Sequence, residues 1–96
     1  MWYLVEQYQP GTDIGELRRA TARLADVANA LTADGVYVRF AGASFVRSDE
    51  SCFCRFESDS IDAVRTACQR AQFSYDRILI VDEVDASAGG PSGDPL

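Results

Sequence analysis

Residues 36–57 read VYVRFAGASFVRSDESCFCRFE. Aromatic and β-branched residues dominate the runs 36–46 and 52–57, which is typical of β-strands. The polar residues at 47–51 between these runs have the composition of a turn. The stretch therefore predicts a β-hairpin with a loop of about four or five residues, placed at the centre of a small sheet.

Two further strands and two helices are predicted around this hairpin. The aromatic and branched run 2–8 predicts a first strand, because it stops at the turn dipeptide Pro10-Gly11. Apolar residues at helical spacing predict a first helix that follows the N-cap Asp13 and ends near Asp34. The same spacing predicts a second helix after the capping region 58–60, and the branched run from Ile78 predicts a fourth strand.

The resulting order is β-α-β-β-α-β, which predicts an α+β, ferredoxin-like fold. In this fold a four-stranded antiparallel sheet carries both helices on one face and leaves the other face open. A chain of 96 residues gains buried surface by pairing, so we expect a homodimer that covers the open face. We expect this domain to span residues 1–86 and the Gly- and Ser-rich residues 87–96 to form a disordered tail.

Composition excludes several classes of partner. The chain has 15 acidic and 9 basic residues, and its net charge of -6 opposes binding to nucleic acid and to anionic membranes. No run has the length of a membrane span, and the N-terminus lacks the basic flank of a signal peptide. We therefore expect a cytoplasmic protein without a nucleic-acid or membrane partner. Three cysteines, an odd number, indicate free thiols in a reducing compartment.

Strand alternation predicts which residues line the open face, because successive side chains point to opposite sides of a sheet. In the second strand the alternation places Arg39, Ala41, Ala43 and Phe45 together. We assign to the open face, with Trp2 beside its aromatic residues, the following site residues: Glu6, Tyr8, Arg39, Phe45, Phe53, Arg55 and Glu57.

Such a surface has more than one possible use. Carboxylates and guanidiniums among aromatic rings can orient a polar ligand, and a partly desolvated Glu6 can act as a general base. The alternative is that these charged residues form ion pairs at a surface or an interface, without chemistry. The aromatic residues are equally compatible with packing in the core or between two copies. The sequence leaves these alternatives open.

The cysteines and the first helix terminus suggest structural roles. Cys52 and Cys54 face the same way on one strand, and Cys68 lies on the buried stripe of the second helix. A metal needs three or four converging ligands, so we expect these thiols to be small buried residues. Asp13 and Glu16 occupy the N-terminus of the first helix, which favours capping over anion binding there.

The sequence resembles a family of small, uncharacterised actinobacterial proteins that includes a nickel-binding protein. The resemblance rests on Glu6, on Pro10-Gly11, on the segment 45–57 with its Cys-Phe-Cys motif, on Ala63-Val64-Arg65 and on the segment 73–78, and it covers residues 2–85. It implies a ferredoxin-like dimer of the dimeric α/β-barrel type with a cavity shared between two sheets. Because the chain has no histidine, the side chain that suits nickel best, we assign no metal ligands.

We therefore predict a small dimeric binding protein with a cavity for a small molecule or, as a second choice, a divalent metal such as nickel. The alternative is a cofactor-free enzyme of the monooxygenase or cyclase type, with Glu6 as the base and Arg39 or Arg55 stabilising an oxyanion. A protein-interaction domain is a third possibility. We predict no cofactor. Residues 9–12 lack the Cys-x-x-Cys motif of a copper chaperone, and the central strands lack the basic and aromatic motifs of an RNA-binding module.

Overall fold

Strands and helices alternate along the chain in the predicted order. The computed structural model describes residues 1–84, so the predicted domain end at residue 86 and the predicted tail at 87–96 lie outside the described residues. The elements are β1 (Trp2–Tyr8), α1 (Ile14–Ala33), β2 (Val38–Val46), β3 (Ser51–Ser58), α2 (Ile61–Arg70) and β4 (Arg77–Val81). A short 3₁₀ turn, Arg47–Asp49, joins β2 to β3 as the tip of the predicted hairpin.

Both helices begin at the predicted capping residues. The Asp13 side chain accepts a hydrogen bond from the Gly15 N–H at 3.3 Å, and the Ser60 hydroxyl accepts one from the Ala63 N–H at 3.2 Å. Each bond satisfies an amide that the first turn of a helix leaves without a partner. After α1 the chain turns at Gly35, whose φ of +93° suits glycine. Neither helix has the length and hydrophobicity needed to cross a membrane.

The four strands form one antiparallel sheet in the order β2-β3-β1-β4. This order and the βαββαβ connectivity confirm the predicted ferredoxin-like fold. On β1 and β3 the buried side chains alternate with half-buried and exposed ones, and Tyr3 pairs with Phe56 as Val5 pairs with Cys54. The buried set faces the helices, so the other set lies on the open side of the sheet.

A single hydrophobic core lies between the sheet and the two helices. Val5, Leu24, Phe56 and Val64 are fully buried there, one from each of β1, α1, β3 and α2. Burying each such side chain contributes roughly 1.5–3 kcal/mol. The Phe56 ring meets Phe40 edge to face, with 5.4 Å between the ring centroids. This packing fixes the helices on one side of the sheet and leaves its other side uncovered by the described residues.

A β-bulge interrupts β2 and corrects one prediction. Phe40 pairs with Phe56 but Gly42 pairs with Arg55, so Ala41 is an extra residue without a partner on β3. One extra residue in a strand moves every later side chain to the opposite face of the sheet. Phe45 therefore points towards the helices and packs against the core, beside α1. The predicted placement of Phe45 on the open face is wrong, because uniform alternation along β2 does not hold.

Candidate functional site

The open face is the side of the sheet opposite the helices. We use this name for a surface built by alternate residues of all four strands. The structure places six of the seven predicted site residues on it, all except Phe45. Its members are Trp2, Leu4, Glu6 and Tyr8 from β1, Arg39, Gly42 and Ser44 from β2, Phe53, Arg55 and Glu57 from β3, and Arg77, Leu79 and Val81 from β4.

The centre of the open face is apolar. Trp2 pairs with Val81 and Leu4 pairs with Leu79 across β1 and β4, and Phe53 on β3 pairs with Glu6, diagonally across from Leu4. These five residues, which we call the apolar stripe, are all half-buried within one chain. Since neighbouring strands are about 4.8 Å apart, the stripe forms a continuous patch. Neither helix covers it, because both helices pack on the other side of the sheet.

One end of the open face carries Glu6 and Arg77. These residues are cross-strand partners on β1 and β4, and the Arg77 Nε donates a hydrogen bond to Glu6 Oε1. The Glu6 side chain is 21 % exposed and that of Arg77 is 63 % exposed. Arg77 is not among the predicted site residues, because the branched run that predicts the fourth strand begins one residue later, at Ile78. The ion pair engages one of the two carboxylate oxygens of Glu6.

Tyr8 lies beyond Glu6 at the end of β1. Its side chain is 58 % exposed, and its backbone N–H donates to Asp76 Oδ2 at 2.6 Å. A second hydrogen bond holds the loop that carries Asp76, from the Asp76 N–H to the Glu6 carbonyl oxygen at 2.8 Å. The structure therefore positions the Tyr8 backbone firmly and leaves its phenol ring in solvent at the margin of the open face.

The opposite end of the open face is a four-residue cluster around Glu57. Its Oε1 accepts hydrogen bonds from the Tyr37 hydroxyl at 2.8 Å and from Arg39 at 3.0 and 3.2 Å. The Arg39 guanidinium also lies 5.2 Å from the centre of the Trp2 ring, a cation–π contact. The hydrogen bond from Tyr37 and the Arg39 guanidinium lower the pKa of Glu57. Glu57 is thus held in its charged form.

The predicted site residues consequently form two separate clusters. Glu57 lies opposite Trp2, and Arg77 lies opposite Glu6, four residues further along β1. At about 3.4 Å per residue the two ends are about 14 Å apart. Between them lies one row of cross-strand partners, formed by Arg55, Leu4 and Leu79. This distance argues against a single catalytic centre that combines Glu6 with Arg39.

Arg55 crosses the bulge of β2. Its Nη2 donates to the Ala41 carbonyl oxygen at 3.2 Å, so the guanidinium lies over the backbone of Gly42. A side chain at position 42 would occupy the same space, because a Cβ built there lies 2.8 Å from Arg55 Nη2. The glycine therefore determines where this positive charge sits on the open face. A glycine inside a strand is a known sign of a bulge, and it is the feature of the sequence that could have predicted this arrangement.

The carboxylates that a metal would need are already engaged. Glu6 and Glu57 are paired with arginines, and Glu50 Oε2 accepts a hydrogen bond from the Gly11 N–H at 2.9 Å. Within residues 1–84 there is no group of three or more His, Cys, Asp or Glu side chains that could hold a metal ion. The chain also lacks histidine altogether. The residues of one copy therefore do not fit a nickel site.

The three cysteines are buried and free. The Sγ atoms of Cys52 and Cys54 are 3.9 Å apart, and both face the helices with Cys68. Burial raises the pKa of Cys68 to about 12, and the hydrogen bond with Cys52 together with burial raises the pKa of Cys54. Thiolates, which bind metals, are therefore disfavoured at these two positions at neutral pH.

Comparison with known proteins identifies relatives. A family model described as "Nickel responsive protein SCO4226-like" matches residues 3–81. The crystal structure of SCO4226 from Streptomyces coelicolor A3(2) superposes with a TM-score of 0.68 at 21% sequence identity, and the match covers 88% of this chain and 100% of that one. No curated protein matches the chain. The family match covers nearly all of the described residues, and the structural match supports the same fold. This protein therefore belongs to the SCO4226-like family of nickel-responsive proteins.

Proposed function

We propose that this protein is a small homodimeric binding protein. Two copies pack open face against open face and leave a cavity between the sheets for a small molecule. The observation that supports this proposal is the apolar stripe, which is half-buried in one chain and has one ion pair beside Trp2 and another beside Phe53. An apolar centre with a polar rim is the usual composition of an interface between proteins.

The arrangement of charges suits a symmetric dimer. A two-fold axis that lies between the two sheets, perpendicular to the strands, would bring the apolar stripe of one copy onto that of the other. The same rotation would place the Glu6 and Arg77 end near the partner's Glu57 cluster. Each end carries both signs of charge, so contact between unlike ends is electrostatically permitted. Arg55, at the centre, is then available to bind an anionic or polar group in the cavity.

The family description favours a binding protein over the enzyme alternative. SCO4226-like proteins are described as nickel-responsive, and that description names no reaction. The metal is not part of our proposal, because the carboxylates of the open face are already paired and the chain has no histidine. A small organic molecule with a polar group fits the charged and aromatic lining better.

Neighbouring residues of β4 offer a matched test by analytical ultracentrifugation. Leu79 lies on the open face, whereas Ile80 points to the opposite side of the strand and is 61 % exposed. We expect the wild type to sediment as a dimer, Leu79→Glu as a monomer and Ile80→Glu as a dimer. A glutamate in the apolar centre would be buried without a partner, which costs several kcal/mol, while one at position 80 stays in solvent.

Two results would contradict the proposal. A wild type that stays monomeric at about 100 μM would exclude a dimer of useful affinity, since interfaces of this kind normally reach at least micromolar Kd values. A dimer that survives Leu79→Glu would use another surface. Native mass spectrometry of the untagged protein then tests the cavity: an organic mass that is released on denaturation supports it, and a dimer without any added mass reduces the proposal to self-association.

A further inference from the structure

A second concave surface lies on the helix side of the sheet, away from the open face. It has a volume of about 310 Å³ and is bounded by the end of β1, the first half of α1 and the loop between α2 and β4. Leu17, Ala20 and Phe73 supply its apolar part, and the remaining lining is polar. We call it the arginine pocket, after Arg19 and Arg23 of α1. Its size suits a small metabolite rather than a macromolecule.

The two arginines bring two positive charges to the arginine pocket, against one negative charge from Glu16. Arg19 and Arg23 are four residues apart and lie on the same side of α1, where like charges repel. In the described chain neither forms an ion pair, because the three salt bridges there involve Arg39, Arg65 and Arg77. Arg23 Nε donates to the Ala71 carbonyl oxygen at 3.3 Å, which holds its guanidinium across the pocket wall. An anion between the two guanidiniums would relieve their repulsion.

A buried amide adds a requirement on the ligand. The Gln7 side chain lines the pocket and is 7 % exposed. Its Nε2 donates to the Ser74 carbonyl oxygen at 2.6 Å, and its Oε1 accepts no hydrogen bond from the described residues. A buried acceptor of this kind calls for a donor. A ligand that combines an anionic group with a hydroxyl or amino group would satisfy both Gln7 and the arginines.

The loop between α2 and β4, which forms the third side of the arginine pocket, has a glutamine at a position where glycine is usual. At the end of α2 the Gln72 N–H donates to the Gln69 carbonyl oxygen at 3.1 Å and the Phe73 N–H to that of Cys68 at 2.9 Å. These two bonds define a Schellman motif, in which the residue with positive φ is normally glycine. Gln72 has a φ of +55° and lines the arginine pocket. A residue with a side chain therefore lines the pocket at a position where glycine would be less strained.

From these features we infer that the arginine pocket binds a small organic anion that carries a carboxylate or phosphate group together with a hydrogen-bond donor. Arg19 and Arg23 hold the anionic group, Gln7 accepts from the donor, and the apolar part contacts the carbon chain. Glu16 also lines the pocket and opposes the anion by charge. This site is separate from the open face, so the inference does not depend on dimerisation.

The test is an NMR titration of the full chain with L-malate, succinate and inorganic phosphate at constant ionic strength. We expect saturable shifts of the backbone amides of Gln7 and of residues 72–74, with L-malate binding more tightly than succinate because of its hydroxyl group. Arg19→Gln should weaken L-malate binding at least about tenfold, the loss expected for one charge-assisted hydrogen bond. Glu16→Gln should strengthen it.

Two variants separate a specific site from general charge effects. Arg18 is adjacent in α1 but does not line the arginine pocket, so Arg18→Gln should leave L-malate binding unchanged. Gln72→Gly should raise Tm by relieving the positive φ and should still weaken binding, a combination that a merely structural role would not give. The inference fails if none of the three anions saturates these shifts by about 50 mM, a level far weaker than specific metabolite sites. It also fails if Arg18→Gln and Arg19→Gln weaken binding equally.

Discussion

Gly42 and Arg55 are cross-strand partners, and the Arg55 guanidinium fills the space in which a side chain at residue 42 would begin. Two constraints therefore act on residue 42, its φ of +119° and this close contact. Together they fix the bulge of β2 and the position of a positive charge on the open face.

The first prediction concerns this pair. Gly42→Ala should lower the free energy of unfolding by about 1–3 kcal/mol, because an L-residue is strained at this φ and the new methyl group displaces Arg55. The measurement is urea denaturation. Gly11→Ala is the matched control, since its φ is +69° and nothing lies within 4 Å of the added Cβ; it should cost less. In the Arg55→Ala background Gly42→Ala should become less costly, and equal costs in both backgrounds would exclude the contact as a cause.

The second prediction concerns the ion pair of Glu6 and Arg77. In one chain the pair is largely solvated on the Arg77 side, so Glu6→Gln should lower the free energy of unfolding by no more than about 1 kcal/mol. In the proposed dimer the pair meets the partner's Glu57 cluster, so its loss should raise the Kd measured by sedimentation equilibrium. Asp62→Asn breaks another ion pair, on the outer surface of α2, and should leave that Kd unchanged. Equal Kd values for wild type and Glu6→Gln would place the pair outside the interface.

The third prediction concerns pH. Hydrogen bonding from Tyr37, with the charge of Arg39, lowers the pKa of Glu57 below its ordinary value of 4.5 in the folded chain. A group with a lowered folded-state pKa stabilises the fold above its unfolded pKa and loses that contribution as the pH falls through the folded value. The wild type should therefore lose more stability than Glu57→Gln when the pH falls below 4.5. Parallel curves of unfolding free energy against pH would contradict this assignment.

The fourth prediction concerns the thiols. Cys52, Cys54 and Cys68 are fully buried, and burial raises the pKa of Cys68 to about 12. In the folded protein at pH 8 we expect reaction with a disulfide reagent only at the rate at which the chain opens. Unfolding in urea should expose all three at once. A cysteine that reacts in the folded state as fast as a free thiol would show that the core between sheet and helices is accessible.

Much of the fold could be predicted because local signals agree with each other. Asp13 and Ser60 are good N-caps placed just before apolar residues at helical spacing, and both helices start where these residues predict. The hairpin follows from two strand-like runs around a polar turn. Each of these features depends on residues close together in sequence, which is why no tertiary information was needed.

The site was less predictable because it depends on register. The extra residue, Ala41, places Phe45 on the helix side of the sheet. The alternation of side chains in the sequence does not indicate this bulge, and Gly42 is the one residue that does. Arg77 joins Glu6 through the pairing of β1 with β4, two strands far apart in the chain. The arginine pocket depends on three elements meeting at one end of the molecule. Such relationships arise from packing, and no local pattern encodes them.

The bulge also has a consequence for comparing relatives of this protein. In residues 38–40 of β2 the odd-numbered side chains lie on the open face, whereas in residues 42–46 the even-numbered ones do. Arg39 and Phe45, both odd-numbered, therefore lie on opposite faces of the sheet. Suppose that the β2 strand of a relative lacks the extra residue. Over the second half of that strand, a gapless alignment would match each core position of this protein with a surface position of the relative. A one-residue gap at position 41 would restore the correspondence, and apparent changes of hydrophobicity at 43–46 would then disappear.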